Sequence, residues 1–167
     1  LKRGGLPLEF LPVSDLKDPS ARLAAFWSAA EDDDVALLAV LASADLVAAT
    51  NEFGRDALMH AAEAGAGDAV QELLRQRSDA TRADRFGTTA LMLAAATESA
   101  SSVSALLKAG ANVDAQDKVG NTPLMHAART ERVDNIRMLL AAMAATSKFN
   151  ARNSQGWTAL DWAIRGE

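Results

Sequence analysis

Cysteine is absent from this 167-residue chain. Disulfides and thiolate chemistry are therefore excluded, while the redox compartment stays open, since a cysteine-free chain folds in any of them. Aromatic residues are scarce at 5%, although 49% of the chain is hydrophobic, much of it Ala. That mixture suits helices packed closely through small side chains better than a β-sandwich, which draws on Val, Ile, Tyr and Phe. No apolar run approaches the roughly 18–20 residues of a membrane span, so direct membrane insertion is not expected. No Asn-x-Ser/Thr sequon occurs. The formal net charge of -5 disfavours a nucleic-acid or anionic-membrane surface. It is spread unevenly: residues 18–80 carry 4 basic and 12 acidic groups, residues 117–167 carry 7 basic and 5 acidic. The first residue is Leu, as in a processed chain or a fragment. The expected compartment is intracellular, either the cytoplasm or, had a transit segment preceded Leu1, an organelle.

What is present is a repeat. Gly54, Gly87 and Gly120 are spaced 33 and 33 residues apart, and Gly156 follows after 36. Around them the chain reads "NEFGRDALMHAA", "DRFGTTALMLAA", "DKVGNTPLMHAA" and "NSQGWTALDWAI". Asn or Asp stands three before each Gly, a polar residue two after, then Ala or Pro, then Leu. A period near 33 built from a turn and two helices marks a solenoid. One such unit cannot bury its own apolar face, so copies must stack to make a core.

Over about residues 21–167 the chain resembles the ankyrin repeat. The four glycines and the Thr-Ala/Pro-Leu after three of them carry the resemblance, together with "LLKAGANVDAQD" at 106–117. It implies an all-α, ankyrin-type α-solenoid of stacked helix-turn-helix units joined by β-hairpin loops. The expected layout is an extended N-terminal arm over 1–17 and a repeat domain over 18–167. Its units span about 18–50, 51–83, 84–116 and 117–152, with a partial unit over 153–167.

Each unit also reads directly. The Gly supplies the positive φ of a hairpin tip. Asp56, Thr89, Thr122 and Thr158 stand where a side-chain oxygen caps the first helix, and Pro123 falls at a first helical position. The pairs Ala61-Ala62, Ala94-Ala95 and Ala127-Ala128 permit close helix approach. Leu73-Leu74, Leu106-Leu107 and Leu139-Leu140 mark the expected buried face of the second helix.

"FWSAAEDDDVALLAVL" at 26–41 aligns with 58–73 at a shift of 32 and forms a divergent first unit, with "DPS" at 18–20 as its N-cap and Pro. The arm before it carries Leu6, Leu8, Phe10, Leu11 and Val13 as apolar anchors, expected to dock on a surface. At the other end "WTALDWAIRGE" supplies only the first helix of a fifth unit. Terminal repeats normally turn a polar face outward, yet Trp162 and Ile164 are bulky. Continuation of the parent chain, a covering partner, self-association, or fraying after about Asn150 would each answer this. The three extra residues before Gly156 fall in "AAMAATSKFN", which lengthens a helix or its exit loop.

Catalytic or metal chemistry finds little support. His60 and His126 occupy the same place two repeats apart, so they lie ~20 Å from one another at ~8–10 Å per helix layer, too far to share a metal. In the ankyrin family a His usually follows the repeat Leu and bonds the hairpin. Here Met59, Met92 and Met125 hold that place, and His comes one later. "EDDD" at 31–34 lacks the Asp-x-Asp-x-Asp-Gly spacing of a calcium loop and reads as an acidic inter-helix turn. "SDLK" at 14–17 has nucleophile-pair spacing without partner motifs. No enzyme, cofactor, metal or small-molecule substrate is expected.

Exposed apolar residues say more. Phe53, Phe86 and Val119 precede the tip glycines, and Trp157 follows the last, which predicts an apolar stripe along one edge. The resemblance implies a non-catalytic protein–protein interaction module, an adaptor or scaffold subunit within a larger assembly. Tip residues expected to bind a protein partner are Glu52, Phe53, Arg55, Arg85, Phe86, Thr88, Lys118, Val119, Asn121 and Trp157. Glu63, Ala96, Thr97, Arg129 and Thr130 would line the concave groove. The alternative is an ankyrin segment of a larger enzyme or channel, serving targeting or autoinhibition.

Overall fold

A computed structural model describes residues 18–143 and 149–165. The arm over 1–17, its apolar anchors and "SDLK" lie outside the described residues. Ten helices make up the regular structure of the described residues. They are α1 (Pro19–Glu31), α2 (Val35–Leu41), α3 (Ala44–Ala48), α4 (Ala57–Ala64), α5 (Gly67–Arg75), α6 (Ala90–Ala95), α7 (Ala100–Lys108), α8 (Pro123–Arg129), α9 (Val133–Met143) and α10 (Ala159–Arg165). First helices α1, α4, α6, α8 and α10 pack in one row, and second helices α2, α5, α7 and α9 in another. No strand forms among the described residues. The expected hairpins are tight turns, with one isolated bridge between Ala83 and Thr89.

The helices start where the side chains dictate. Asp18 caps α1 by accepting the Ala21 amide, with Pro19 in the first turn. Asp56, Thr89 and Thr122 accept the amides of Met59, Met92 and Met125. At α10 the cap is reciprocal: Thr158 Oγ1 accepts the Asp161 amide, and Asp161 Oδ2 accepts the Thr158 amide. The acidic run is also structural. Asp34 caps α2, and Asp33 Oδ1 reaches across the array to accept the Ala69 amide in the first turn of α5 at 2.6 Å.

The core is a column of repeat-equivalent residues. Phe26, Leu58, Leu91 and Leu124 are buried, as are the three alanine pairs that let the rows close up. Each large side chain removed from water contributes about 1.5–3 kcal/mol. Only the first leucine of each second-helix pair belongs to this core. Leu73, Leu106 and Leu139 are buried, whereas Leu74 and Leu107 are half-buried and Leu140 is exposed. One residue further along a helix is a 100° rotation, so both members of a pair cannot face the same seam. A polar residue is buried too: Asn135 Nδ2 donates to the carbonyls of Ala94, Ala95 and Thr97, capping the short α6 from the next repeat.

Two features depart from the repeat. In the first unit α3 stands in the loop between the second helix and the next tip, where the later units have no helix, and Arg82 Nη1 donates to its Ala48 carbonyl at 3.0 Å. In the fourth, α9 has 11 residues where α5 and α7 have 9, so at least part of the extra length is helical.

Candidate protein-interaction surface

Every tip is built around one Asn or Asp. Asn51 Oδ1 accepts the amides of Phe53 and Arg55, and Asp84 Oδ1 those of Phe86 and Thr88. Asp117 Oδ1 accepts those of Val119 and Asn121, and Asn153 Oδ1 those of Gln155 and Trp157. All eight bonds measure 2.8–3.0 Å. In each tip the glycine amide donates to the carbonyl of the same Asn or Asp, closing a turn that needs the glycine's positive φ of 78–82°.

Backbone bonds then tie tip to tip. Phe53 O accepts the Arg85 amide, Phe86 O the Lys118 amide and Val119 O the Ser154 amide, each at 2.8 Å. The carbonyls are therefore satisfied within the array, and the edge offers side chains to a partner instead of a free β-edge. Phe53 and Phe86 stack on one another with centroids 6.3 Å apart and planes at 27°. They nonetheless stay 48% and 54% exposed, with Val119 at 53% beside them. The rings pack on the neighbouring tip and still face solvent.

Trp157 does not continue the stripe. It is half-buried, edge-on to Trp162 at 4.8 Å, with the Arg165 guanidinium 4.1 Å over its ring. Trp157, one past its glycine, packs against its own helix, whereas Phe53 and Phe86, one before theirs, pack on one another along the edge.

The charged candidates divide by what they already hold. Glu52, Arg85 and Lys118 are exposed and form no ion pair among the described residues. Arg55 is engaged: Nε donates to Asp84 Oδ2 at 3.1 Å and Nη1 to Glu63 Oε2 at 2.7 Å. Burial works against its charge, but Asp84 and Glu63 outweigh it and raise the Arg55 pKa. Thr88 is half-buried, and Asn121 is tied to Asp117 and accepts from Asn153 Nδ2 at 2.9 Å.

The groove residues serve the turns between helices. Thr97 Oγ1 donates to Ala94 O, Thr130 Oγ1 donates to His126 O, and Glu63 holds Arg55. Ala96 ends α6 as its C-cap. Arg129 is exposed, with its guanidinium 6.0 Å from the Trp162 ring.

Both histidines do reach their tips, despite the one-residue offset. His60 Nε2 lies 3.3 Å from Asn51 Nδ2, and His126 Nε2 lies 3.2 Å from Asp117 Oδ2. His60 also stacks on Trp27 and pairs with Glu31 at 2.8 Å. Burial, with help from Arg129, pulls the His126 pKa down against the opposing pull of Asp117. Where the third copy has Leu93 in place of His, Arg55 of the preceding tip takes the free oxygen of Asp84. Burial raises the pKa of the capping Asp56, against the Met59 amide and Arg82. Among the described residues no group of three or more His, Asp or Glu side chains could hold a metal, and no helix is long and apolar enough to cross a membrane.

Stacked helix pairs with linked tips define an α-solenoid repeat protein. A family model described as ankyrin repeats, in 3 copies, matches residues 24–117 and 98–167. The chain belongs to the ankyrin-repeat family. No curated protein matches it. Ankyrin repeats are generally protein–protein interaction modules, and such domains are typically non-catalytic.

Proposed function

We propose that this chain is a non-catalytic adaptor or scaffold subunit that grips a protein partner along its tip edge. The observation that carries the reading is the stacked, half-exposed pair Phe53 and Phe86, continued by Val119 and flanked by Arg85 and Lys118, cations without an ion pair among the described residues. Large aromatics on a rigid frame bind at low entropic cost, and adjacent free cations favour an acidic, apolar-rich segment. Glu52 at the head of the stripe sets polarity along it. Because the tip carbonyls are already bonded, recognition goes through side chains. The concave groove is the secondary surface, with Arg129 its most available residue.

Photocrosslinking tests the reading. A photoreactive residue at position 85 or 118 should capture a defined partner, and the same group at Gln71, on the outer helix row, should not. Phe53→Ala combined with Phe86→Ala should abolish capture while leaving the helical circular dichroism intact. Capture from Gln71 alone, or capture indifferent to the double substitution, overturns the assignment.

A further inference from the structure

Helix α3, which the later units lack, carries no buried residue, and a hollow of about 500 Å³ lies between it and the loop after α5. Ala44, Val47 and Ala48 give this hollow an apolar wall, and the segment from Gln76 to Asp79 gives it a polar one. Asp56 and Arg82 line it as well. Asp56 is only 2% exposed. Its Oδ1 caps α4 through the Met59 amide, while Oδ2 lies 3.8 Å from Arg82 Nε, beyond hydrogen-bond reach. The Arg82 fork is turned to the Ala48 carbonyl instead. Two oxygens of the polar wall residues, Gln76 Oε1 and Ser78 Oγ, are buried without a hydrogen-bond partner. Buried acceptors are rarely left unmatched, because each then bears the full cost of leaving water.

We propose that this hollow is a binding site, separate from the tip edge, for a small organic cation: a guanidinium or ammonium on a short aliphatic stem, free or carried by a partner's side chain. The stem matches the alanine and valine wall, and the N–H donors match Asp56, Gln76 and Ser78. An anion would meet the buried Asp56 carboxylate, and a purely apolar ligand would leave the acceptors unmatched. Of the two wall cations, Arg82 is engaged by Ala48 and Arg77 is exposed to water. The wider charge agrees, since residues 18–80 carry 4 basic and 12 acidic groups. Burial raises the Asp56 pKa, with Asp79 pushing the same way, although the Met59 amide and Arg82 oppose it. The carboxylate is therefore short of compensation, which an incoming cation supplies.

The probes are butylguanidinium and its neutral counterpart, butylurea, titrated into the full chain and followed by amide NMR. Butylguanidinium should shift the Val47, Ser78 and Arg82 amides saturably, and butylurea should bind roughly tenfold more weakly or worse. Asp56→Asn removes the charge but keeps an oxygen for the Met59 amide, so α4 should persist while cation binding falls roughly tenfold. Gln76→Met, which removes an acceptor away from any helix cap, should also weaken binding and guards against a folding defect in the first variant. Phe53→Ala should leave cation binding unchanged, so the tip reading and this one fail separately. A capped tripeptide with central arginine that binds more tightly than butylguanidinium assigns the side-chain source, and weaker binding assigns the free cation. Absence of saturable shifts overturns the proposal, as does equal binding of the charged and neutral probes or undiminished binding to Asp56→Asn.

Discussion

Arg55 Nε lies 3.1 Å from Asp84 Oδ2, so the cation of one tip secures the residue that builds the next. The Asp84 side chain is fully buried, and its other oxygen holds the amides of Phe86 and Thr88. Arg55→Ala leaves that carboxylate without its charged donor. The expected loss is about 1.5–3 kcal/mol of stability, the range for hydrogen bonds to charged groups. Urea melts would read it, and partner binding should fall only as far as the folded fraction falls. Unchanged stability with lost binding would make Arg55 a contact residue instead.

In the proposed reading, the Phe53–Phe86 stack places binding and stability on the same rings. Phe53→Ala and Phe86→Ala should each weaken partner binding by about 1–3 kcal/mol. A double-mutant cycle on folding should show a coupling of about 0.5–1.5 kcal/mol, the usual worth of an offset aromatic pair. Leu91→Ala, fully buried in α6, is the contrasting control and should cost about 2–5 kcal/mol of stability. A tip variant that destabilises as much as Leu91→Ala would move the stripe into the core.

Period, caps and turn glycines were legible in the sequence because each is a local demand with a characteristic residue. Thr89 before Ala-Leu, Pro123 at a first helical position and Gly87 inside its turn allow few alternatives. The buried leucine column followed from stacking the period. Partner choice among side chains was less legible. Arg55 reads as a free tip cation until the fold sets Asp84, 29 residues on, beside it. Thr97 reads as groove lining, yet its hydroxyl and carbonyl serve the turn after α6. Trp157 reads as a tip aromatic, but the α10 turn sets it against Trp162. Helix α3 left no periodic signal, since five residues are too few to show one. One cue was available: Leu93 where the neighbouring copies have His60 and His126 leaves an oxygen of Asp84 in want of a donor.

Gly120 and Gly156 share a left-handed backbone, with φ of 82° and 78°, but not their surroundings. A Cβ at 120 would stand 3.0 Å from the Asn153 backbone, while one at 156 meets nothing within 4 Å. Gly156→Ala should therefore carry only the left-handed penalty of about 1–2 kcal/mol. Gly120→Ala should cost more, because it must also push the next tip away and stretch the bond from Ser154 N to Val119 O. Thermal melts of the two variants give the comparison, and equal losses would mean the tips yield freely.

His126 makes stability depend on pH in a direction that can be worked out. Its folded-state pKa lies below the ordinary 6.5, chiefly through burial, with Asp117 opposing and Arg129 adding. As pH falls through 6.5 the unfolded chain takes up a proton that the folded chain still refuses. The unfolded state is then favoured, so the contribution is fully present above the unfolded pKa and is lost on acidification toward the folded one. One such proton limits the slope to about 1.4 kcal/mol per pH unit. Urea midpoints between about pH 5.5 and 7.5 should climb with pH in the wild type. His126→Gln should flatten that climb. Superimposable profiles for wild type and His126→Gln would mean that Asp117 compensates burial fully and that the imidazole titrates alike in both states.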